Sequence, residues 1–195
     1  MATQAIPFLT PEQYLEIERT AEFRSEYLNG ELFAVSGASR RHSEIVHNFA
    51  AIFRAQARRR CHYFTTDMRL LTPPTKLYTY PDVMVVCGRI EYSGDREDMV
   101  TNPSVIAEVL SASTPDYDRG RKFVHYRSLP SLKDYLIVAQ NSVSIEHHTR
   151  HADGSWLLRE CSRPEEVISL ASISVEVRLS DVYEDIEFGT VQPTN

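Results

Sequence analysis

Two acidic residues interrupt the two most apolar stretches of this 195-residue chain: Asp82 in Tyr80-Pro81-Asp82-Val83-Met84-Val85-Val86, and Glu108 in Ser104-Val105-Ile106-Ala107-Glu108-Val109-Leu110. A charge in a buried strand is costly unless it is paired or bound to a metal, and Asp is a poor strand former. Side chains alternate along a strand, so Asp82 shares a face with Met84 and Val86, and Glu108 shares one with Ile106 and Leu110. If the strands are neighbours in register, the two carboxylates meet. Oxygen ligands of that kind suit Mg²⁺ or Mn²⁺, with waters and a substrate phosphate completing an octahedron. Each carboxylate taken alone also fits a strand end near solvent. A third element is the helix predicted from Tyr117 to Arg127, where Asp118, Lys122 and Tyr126 share one face at i, i+4 and i+8. A Lys there can orient a water or offset charge developing on a phosphate; the same spacing also fits an ordinary Asp–Lys surface pair.

The elements that must position these groups are readable in outline. Thr10-Pro11-Glu12-Gln13 predicts a helix start, with Thr10 as cap, Pro11 in the first turn and Gln13 closing a capping box. Tyr14, Leu15, Ile17 and Ala21 give that helix an apolar side. Asn29-Gly30 predicts a hairpin turn between Tyr27-Leu28 and Glu31-Leu32-Phe33-Ala34-Val35. Ser39 or a neighbour caps a long helix over about residues 40–60, whose Ile45, Phe49, Ile52 and Phe53 face a core. The runs around Asp82 and Glu108, and Tyr135-Leu136-Ile137-Val138-Ala139, are nearly continuous in apolar residues. That pattern implies strands buried on both faces, hence a sheet covered by helices. After Gln140, residues 143–148, 156–160, 167–170 and 175–179 alternate like exposed antiparallel strands, with Asp153-Gly154 as a turn. A short helical turn through Tyr183 and a loose tail from Val191 to Asn195 close the chain. With no repeat, low-complexity tract or linker, the expected organisation is one α/β domain over residues 1–195, its core about 10–186, with a short tail after about 188.

The remaining chemistry-bearing residues form no competing site. His147, His148 and His151 lie beside the Asp153-Gly154 turn without a Cys or carboxylate at ligand spacing, which predicts exposed hairpin. Ser111 and Ser113 are not in a nucleophile elbow. Trp156 reads as packing. The three cysteines, Cys61, Cys87 and Cys161, form no CxxC pair and read as reduced thiols in a cytoplasm. No apolar run approaches the length of a membrane span, and residues 1–9 lack a secretion signal. A net charge of −6 argues against indiscriminate nucleic-acid binding, although local basic clusters matter more than the total. Such clusters are Arg40, Arg41, Arg54, Arg58, Arg59 and Arg60 along one helix, and Arg119, Arg121, Lys122 and Arg127 along another.

The stretches Thr10-Pro11-Glu12-Gln13-Tyr14-Leu15, Tyr27-Leu28-Asn29-Gly30-Glu31, Arg41-His42, Tyr80-Pro81-Asp82, Ala107-Glu108-Val109-Leu110-Ser111, Asp118 through Lys122 to Tyr126, and Leu132-Lys133-Asp134-Tyr135-Leu136 occur in one order and spacing. In these the chain resembles the PD-(D/E)xK nuclease superfamily and, within it, the Uma-two family of proposed endonucleases, a former domain of unknown function. The resemblance runs from about Pro11 to Ile186. It implies a restriction-endonuclease-like mixed central sheet flanked by helices, to which the C-terminal antiparallel strands are an addition. It implies an endonuclease that hydrolyses phosphodiester bonds, with DNA as substrate and Mg²⁺ or Mn²⁺ as cofactor. By similarity Asp82 and Glu108 hold the metal, with the backbone carbonyl of Val109 as a further ligand. The superfamily Lys usually stands two positions after the second acid, where this chain has Leu110; the resemblance assigns its role to Lys122 on the following helix. Glu31, His42, Asp118 and Tyr126 are placed around that centre. A homodimer is the expected assembly. The rival expectation is a non-catalytic nucleic-acid-binding or protein-interaction module that keeps the fold.

Overall fold

The computed structural model of the protein describes residues 8–35, 37–57, 59–110 and 117–188, and for 117–119 the backbone only. The loose tail expected from Val191 to Asn195, Ser111 and Ser113, Arg58 and the side chains of Asp118 and Arg119 therefore lie outside the described residues. The element order is α1 (Pro11–Thr20), β1 (Ser25–Leu28), β2 (Glu31–Ala34), α2 (Arg40–Ala57), β3 (Cys61–Thr65), β4 (Arg69–Thr72), β5 (Leu77–Thr79), β6 (Val83–Cys87), β7 (Met99–Val100) and β8 (Val105–Leu110). A π-helical segment (Tyr117–Lys122) runs into α3 (Phe123–Tyr126), followed by β9 (Asp134–Ala139), β10 (Ile145–Arg150), β11 (Trp156–Cys161), β12 (Val167–Leu170), β13 (Val175–Arg178) and α4 (Leu179–Val182).

The local signals act as their chemistry requires. The Thr10 hydroxyl accepts the Gln13 N–H, and the Gln13 side chain accepts the Thr10 N–H, so two otherwise orphaned donors at the start of α1 are satisfied. Asn29 and Gly30 both take positive φ, 49° and 93°, the geometry that a two-residue turn needs to match strand twist. Ser39 Oγ accepts the His42 N–H at 3.1 Å and caps α2.

The central sheet has the order β11-β10-β9-β8-β6-β3, with β8 and β9 parallel and the other pairs antiparallel. This is the mixed sheet expected, and β10 and β11 extend it rather than standing apart. One face, carrying Val83, Val85, Val105, Ala107 and Val109, packs on Ile45, Phe49 and Phe53 of α2 and on the β12–β13 hairpin. The other face, with Met84, Val86, Ile106 and Leu110, packs on Tyr126, Leu129 and Leu132. A second sheet, order β2-β1-β5-β4-β7, buries Tyr27, Tyr78 and Leu71 against Tyr14 of α1. No helix among the described residues is long and apolar enough to cross a membrane.

Two expectations need correction. Cys61 and Cys87 are not reduced thiols: they stand directly opposite each other on antiparallel β3 and β6 and are joined by a disulfide, leaving Cys161 free and buried. Twenty-six residues of separation hide a pairing that only the strand register creates. His147 is not exposed hairpin either. It is 6% exposed, and its Nε2 lies 2.8 Å from Asp134 Oδ1, whose second oxygen accepts the Ser172 hydroxyl. Trp156 packs edge-on to Phe123 at 5.2 Å, under the Arg150 guanidinium.

Tyr183 fastens the C-terminal turn to the central sheet. Its hydroxyl lies 2.9 Å from the Ala139 carbonyl and 2.7 Å from that of Ser144, and it accepts the Ser144 N–H. Burial pushes its ionisation up to about 12, against the effect of the Ser144 amide. The fold therefore favours the neutral phenol. Its contribution is fully present below the unfolded-chain value near 10 and is lost as pH rises from there towards 12. Tyr183→Phe is expected to cost about 1 kcal/mol at pH 8 and to show a shallower loss of stability than the parent between pH 10 and 11.5, measured by urea unfolding.

Candidate active site

The antiparallel pairing of β6 with β8 sets Val83 opposite Ala107, so one residue further along Asp82 meets Glu108. Asp82 stands just before β6, where Pro81 costs no ladder bond. Its N–H donates to Glu108 Oε2 at 3.4 Å, while the Val109 N–H donates to Asp82 Oδ2 at 2.8 Å. His42, in the first turn of α2, adds a bond from Nε2 to the same Asp82 oxygen at 3.1 Å. Asp82 Oδ1 has no protein partner among the described residues, and the Asp82 side chain keeps 17% exposure at the cleft floor.

Glu108 is deeper, its side chain 3% exposed. Its Oε1 accepts the Tyr126 hydroxyl at 2.8 Å and lies 3.3 Å from Lys122 Nζ. Tyr126 also bonds the Thr79 hydroxyl at 3.0 Å. Complete burial, reinforced by the Glu108 carboxylate and only partly opposed by Lys122, holds the Tyr126 phenol well above its ordinary ionisation, so it stays a donor. Tyr126→Phe would leave a buried carboxylate oxygen one bond short. The expected cost is about 1–3 kcal/mol in urea unfolding.

Lys122 closes the π-helical segment, one residue before α3. Besides Glu108 it meets Glu26 of β1, at 3.0 Å between Nζ and Oε1. Structure thus brings Asp82, Glu108, Val109, Lys122, His42 and Tyr126 together. It does not bring Glu31: that residue is exposed at the start of β2 and is not among the residues lining the cleft. Glu26, five positions earlier in the same hairpin and 6% exposed, takes the place expected for it. The signal for Glu26 was of the same kind as for Asp82, a carboxylate beside apolar Tyr27 and Leu28, but a four-residue strand is too short to display it.

Tyr126 is fully buried, while Asp82, Glu108, Val109, Lys122, His42 and Glu26 line an open cleft of about 2010 Å³. Its walls include residues 32–35 of the β1–β2 hairpin, the 37–43 segment leading into α2, and residues 139–142 after β9. Arg24, Arg40 and Arg41 stand along it, with Arg24 paired to Asp67 and Arg40 to Glu44. The other basic residues are placed differently: Arg54 reaches Tyr63 Oη and Arg60 bonds the Gln56 carbonyl.

The donor set fits a divalent cation. Three buried or half-buried carboxylates, Asp82, Glu108 and Glu26, line the cleft beside one ammonium, Lys122, which pairs with Glu26 and Glu108, an excess of negative charge that a dication neutralises. Among the described residues no three His, Cys, Asp or Glu side chains converge as a ready metal cage. Mg²⁺ needs none, because it commonly takes one or two carboxylates and fills its octahedron with water and substrate phosphate.

Known proteins share this architecture and sequence. The crystal structure of "a putative nuclease belonging to DUF820" from Anabaena variabilis superposes with a TM-score of 0.75 over 90% of this chain and 97% of that one, at 15% identity, which establishes the shared fold. Two uncharacterised proteins of Synechocystis sp. are similar in sequence. One, sll1609, is 36% identical over 82% of this chain and 91% of its own length. The other, slr1290, is 33% identical over 93% and 95%. The family model described as "Putative restriction endonuclease" matches residues 11–180, and the chain belongs to that family, Uma2.

Proposed function

We propose that this protein is a divalent-metal-dependent endonuclease that hydrolyses phosphodiester bonds in DNA. The observation that carries the reading is the meeting of Asp82 and Glu108 across β6 and β8, with the Lys122 ammonium against the second carboxylate. Family membership supports a nucleic-acid substrate.

In this reading Asp82 and Glu108, with the Val109 carbonyl, hold Mg²⁺ or Mn²⁺. Such an ion supplies charge neutralisation at the scissile phosphate and lowers the pKa of water to the range where hydroxide is available. The chain's own groups do the rest. The Val109 N–H and His42 fix Asp82 Oδ2 and leave Oδ1 without a protein partner among the described residues. Tyr126 fixes Glu108. Lys122 carries a positive charge beside the carboxylate pair, where it offsets charge gathering on the phosphate oxygens and orients the attacking water. Arg41 and the polar residues of the cleft wall take flanking phosphates. The region from about residue 10 to 186 acts as one domain, and two copies pair to cut two strands, a two-fold arrangement that is the commonest assembly.

The test is incubation of the purified protein with supercoiled plasmid and, in parallel, with a structured RNA, in Mg²⁺, in Mn²⁺ and in EDTA. Nicked and linear plasmid appear with metal and not with EDTA. An absence of cleavage in both metals would overturn the reading, and cleavage of RNA alone would replace its substrate.

A further inference from the structure

Among the described residues Lys122 meets two carboxylates, and the nearer one has no role in the mechanism above. Glu26 Oε1 lies 3.0 Å from Nζ, against 3.3 Å for Glu108 Oε1. The Glu26 and Lys122 side chains are each 8% exposed. The same Glu26 oxygen accepts the backbone N–H of Tyr80 at 3.4 Å. We propose that Glu26 is a positioning residue: it anchors the Lys122 ammonium over the carboxylate pair while Glu108 is engaged by a divalent cation. The proposal rests on the nuclease reading.

The physical need follows from the competition at Glu108. Its Oε1 is shared by Tyr126 and Lys122, and its Oε2 faces the Asp82 N–H. A cation held by Asp82 and Glu108 draws on the same negative charge that attracts Lys122. Without Glu26, Glu108 would be the carboxylate left among the described residues to hold the ammonium, which would lose its place to the cation. Glu26 removes that conflict because it sits on a different element. Pairing of β1 with β2 sets Glu26 opposite Phe33, and pairing of β1 with β5 sets the next residue, Tyr27, opposite Tyr78. The Tyr80 amide that holds Glu26 is two residues before Asp82, so one short backbone segment places both the lysine's anchor and the first metal-holding carboxylate. Glu26 need not touch phosphate, water or metal for this. It acts by fixing where Nζ stands, and a displacement of about 1 Å at a catalytic group can cost about a hundredfold.

The experiment compares wild type, Glu26→Gln, Lys122→Met and the double variant. Glutamine keeps the size of the side chain and an oxygen for the Tyr80 amide but removes the charge that holds the ammonium. Three quantities are measured: kcat and KM for plasmid nicking, Mn²⁺ affinity, and the unfolding equilibrium in urea. Glu26→Gln is expected to lower kcat by about tenfold or more, with KM and Mn²⁺ affinity within about threefold of wild type. The double variant is expected to be no slower than Lys122→Met, since both changes act on one group. Effects on kcat that multiply, or a Glu26→Gln loss confined to KM or metal affinity, would overturn the proposal. The unfolding cycle is expected to show coupling of about tenfold or more between the two positions; additive effects there also overturn it. If wild type does not nick at all, the nuclease reading falls, and the unfolding cycle alone decides whether Glu26 holds Lys122. Should Glu26→Gln fail to fold, Glu26→Asp keeps the charge but draws it back from Nζ. It must then lower kcat with KM retained, and an unchanged kcat removes the anchor.

Discussion

Asp82→Ala protein is expected to bind Mn²⁺ about a hundredfold more weakly than wild type, or worse, and to nick plasmid at no more than about a thousandth of the parent rate. The expectation follows from the load on this one side chain. Its Oδ2 ties β8 to the start of β6 through the Val109 N–H and receives His42, and the residue lines the cleft with its Oδ1 lacking a protein partner among the described residues. Loss of a group that merely supports a metal ligand commonly costs 10–100-fold in affinity, so loss of a ligand itself must exceed that. A fold defect is separable from a site defect, because Asp82 lies at the cleft floor outside the apolar clusters of the core, and the variant should keep a cooperative urea transition. Normal nicking by Asp82→Ala would sink the assignment of this residue.

Lys122→Met is expected to separate cleavage from metal binding. Nicking falls by about 10²–10³-fold, the usual consequence of removing one group that stabilises transition-state charge. Mn²⁺ affinity does not fall, because the change removes a positive charge from beside Glu108 and leaves the cation's ligands in place. Stability without metal drops by about 3 kcal/mol or more, since Glu26 and Glu108 are left as buried charges facing a thioether. Saturating Mn²⁺ recovers part of that loss, because a ligand that binds only the folded state stabilises it. Urea unfolding with and without Mn²⁺, beside nicking rates, checks all three quantities. Cleavage within about threefold of wild type would remove Lys122 from the chemistry, and a parallel loss of metal affinity would make it a support of the metal site instead.

The sequence carried the central strands clearly, because β6, β8 and β9 are apolar on both faces and are therefore continuous runs. It also carried the anomaly of a carboxylate inside β8 and another just before β6. Their register was not written in either run: that Asp82 falls opposite Glu108 comes from the antiparallel pairing of β6 with β8. The i, i+4 spacing of Lys122 and Tyr126 was legible as one face, and both do reach Glu108 Oε1, although the segment ending at Lys122 winds as a π-helix, which spacing cannot distinguish from an α-helix. The β1–β2 hairpin misled for a simple reason. Asn29-Gly30 fixes the turn, but which acid of the hairpin faces the cleft depends on how β1 docks on β5, a long-range contact, and it is Glu26 rather than Glu31. The Cys61–Cys87 bridge and the buried Asp134–His147 pair escaped for the same reason, since each joins neighbouring strands whose register the local pattern leaves open.

The most direct test of the central claim is a Mn²⁺ titration of wild type and of the Asp82→Ala/Glu108→Ala double variant, followed by plasmid nicking on the same samples. Saturable binding and nicking by wild type, both lost in a folded double variant, is the predicted result. Equal Mn²⁺ binding and equal nicking by the two proteins would contradict it.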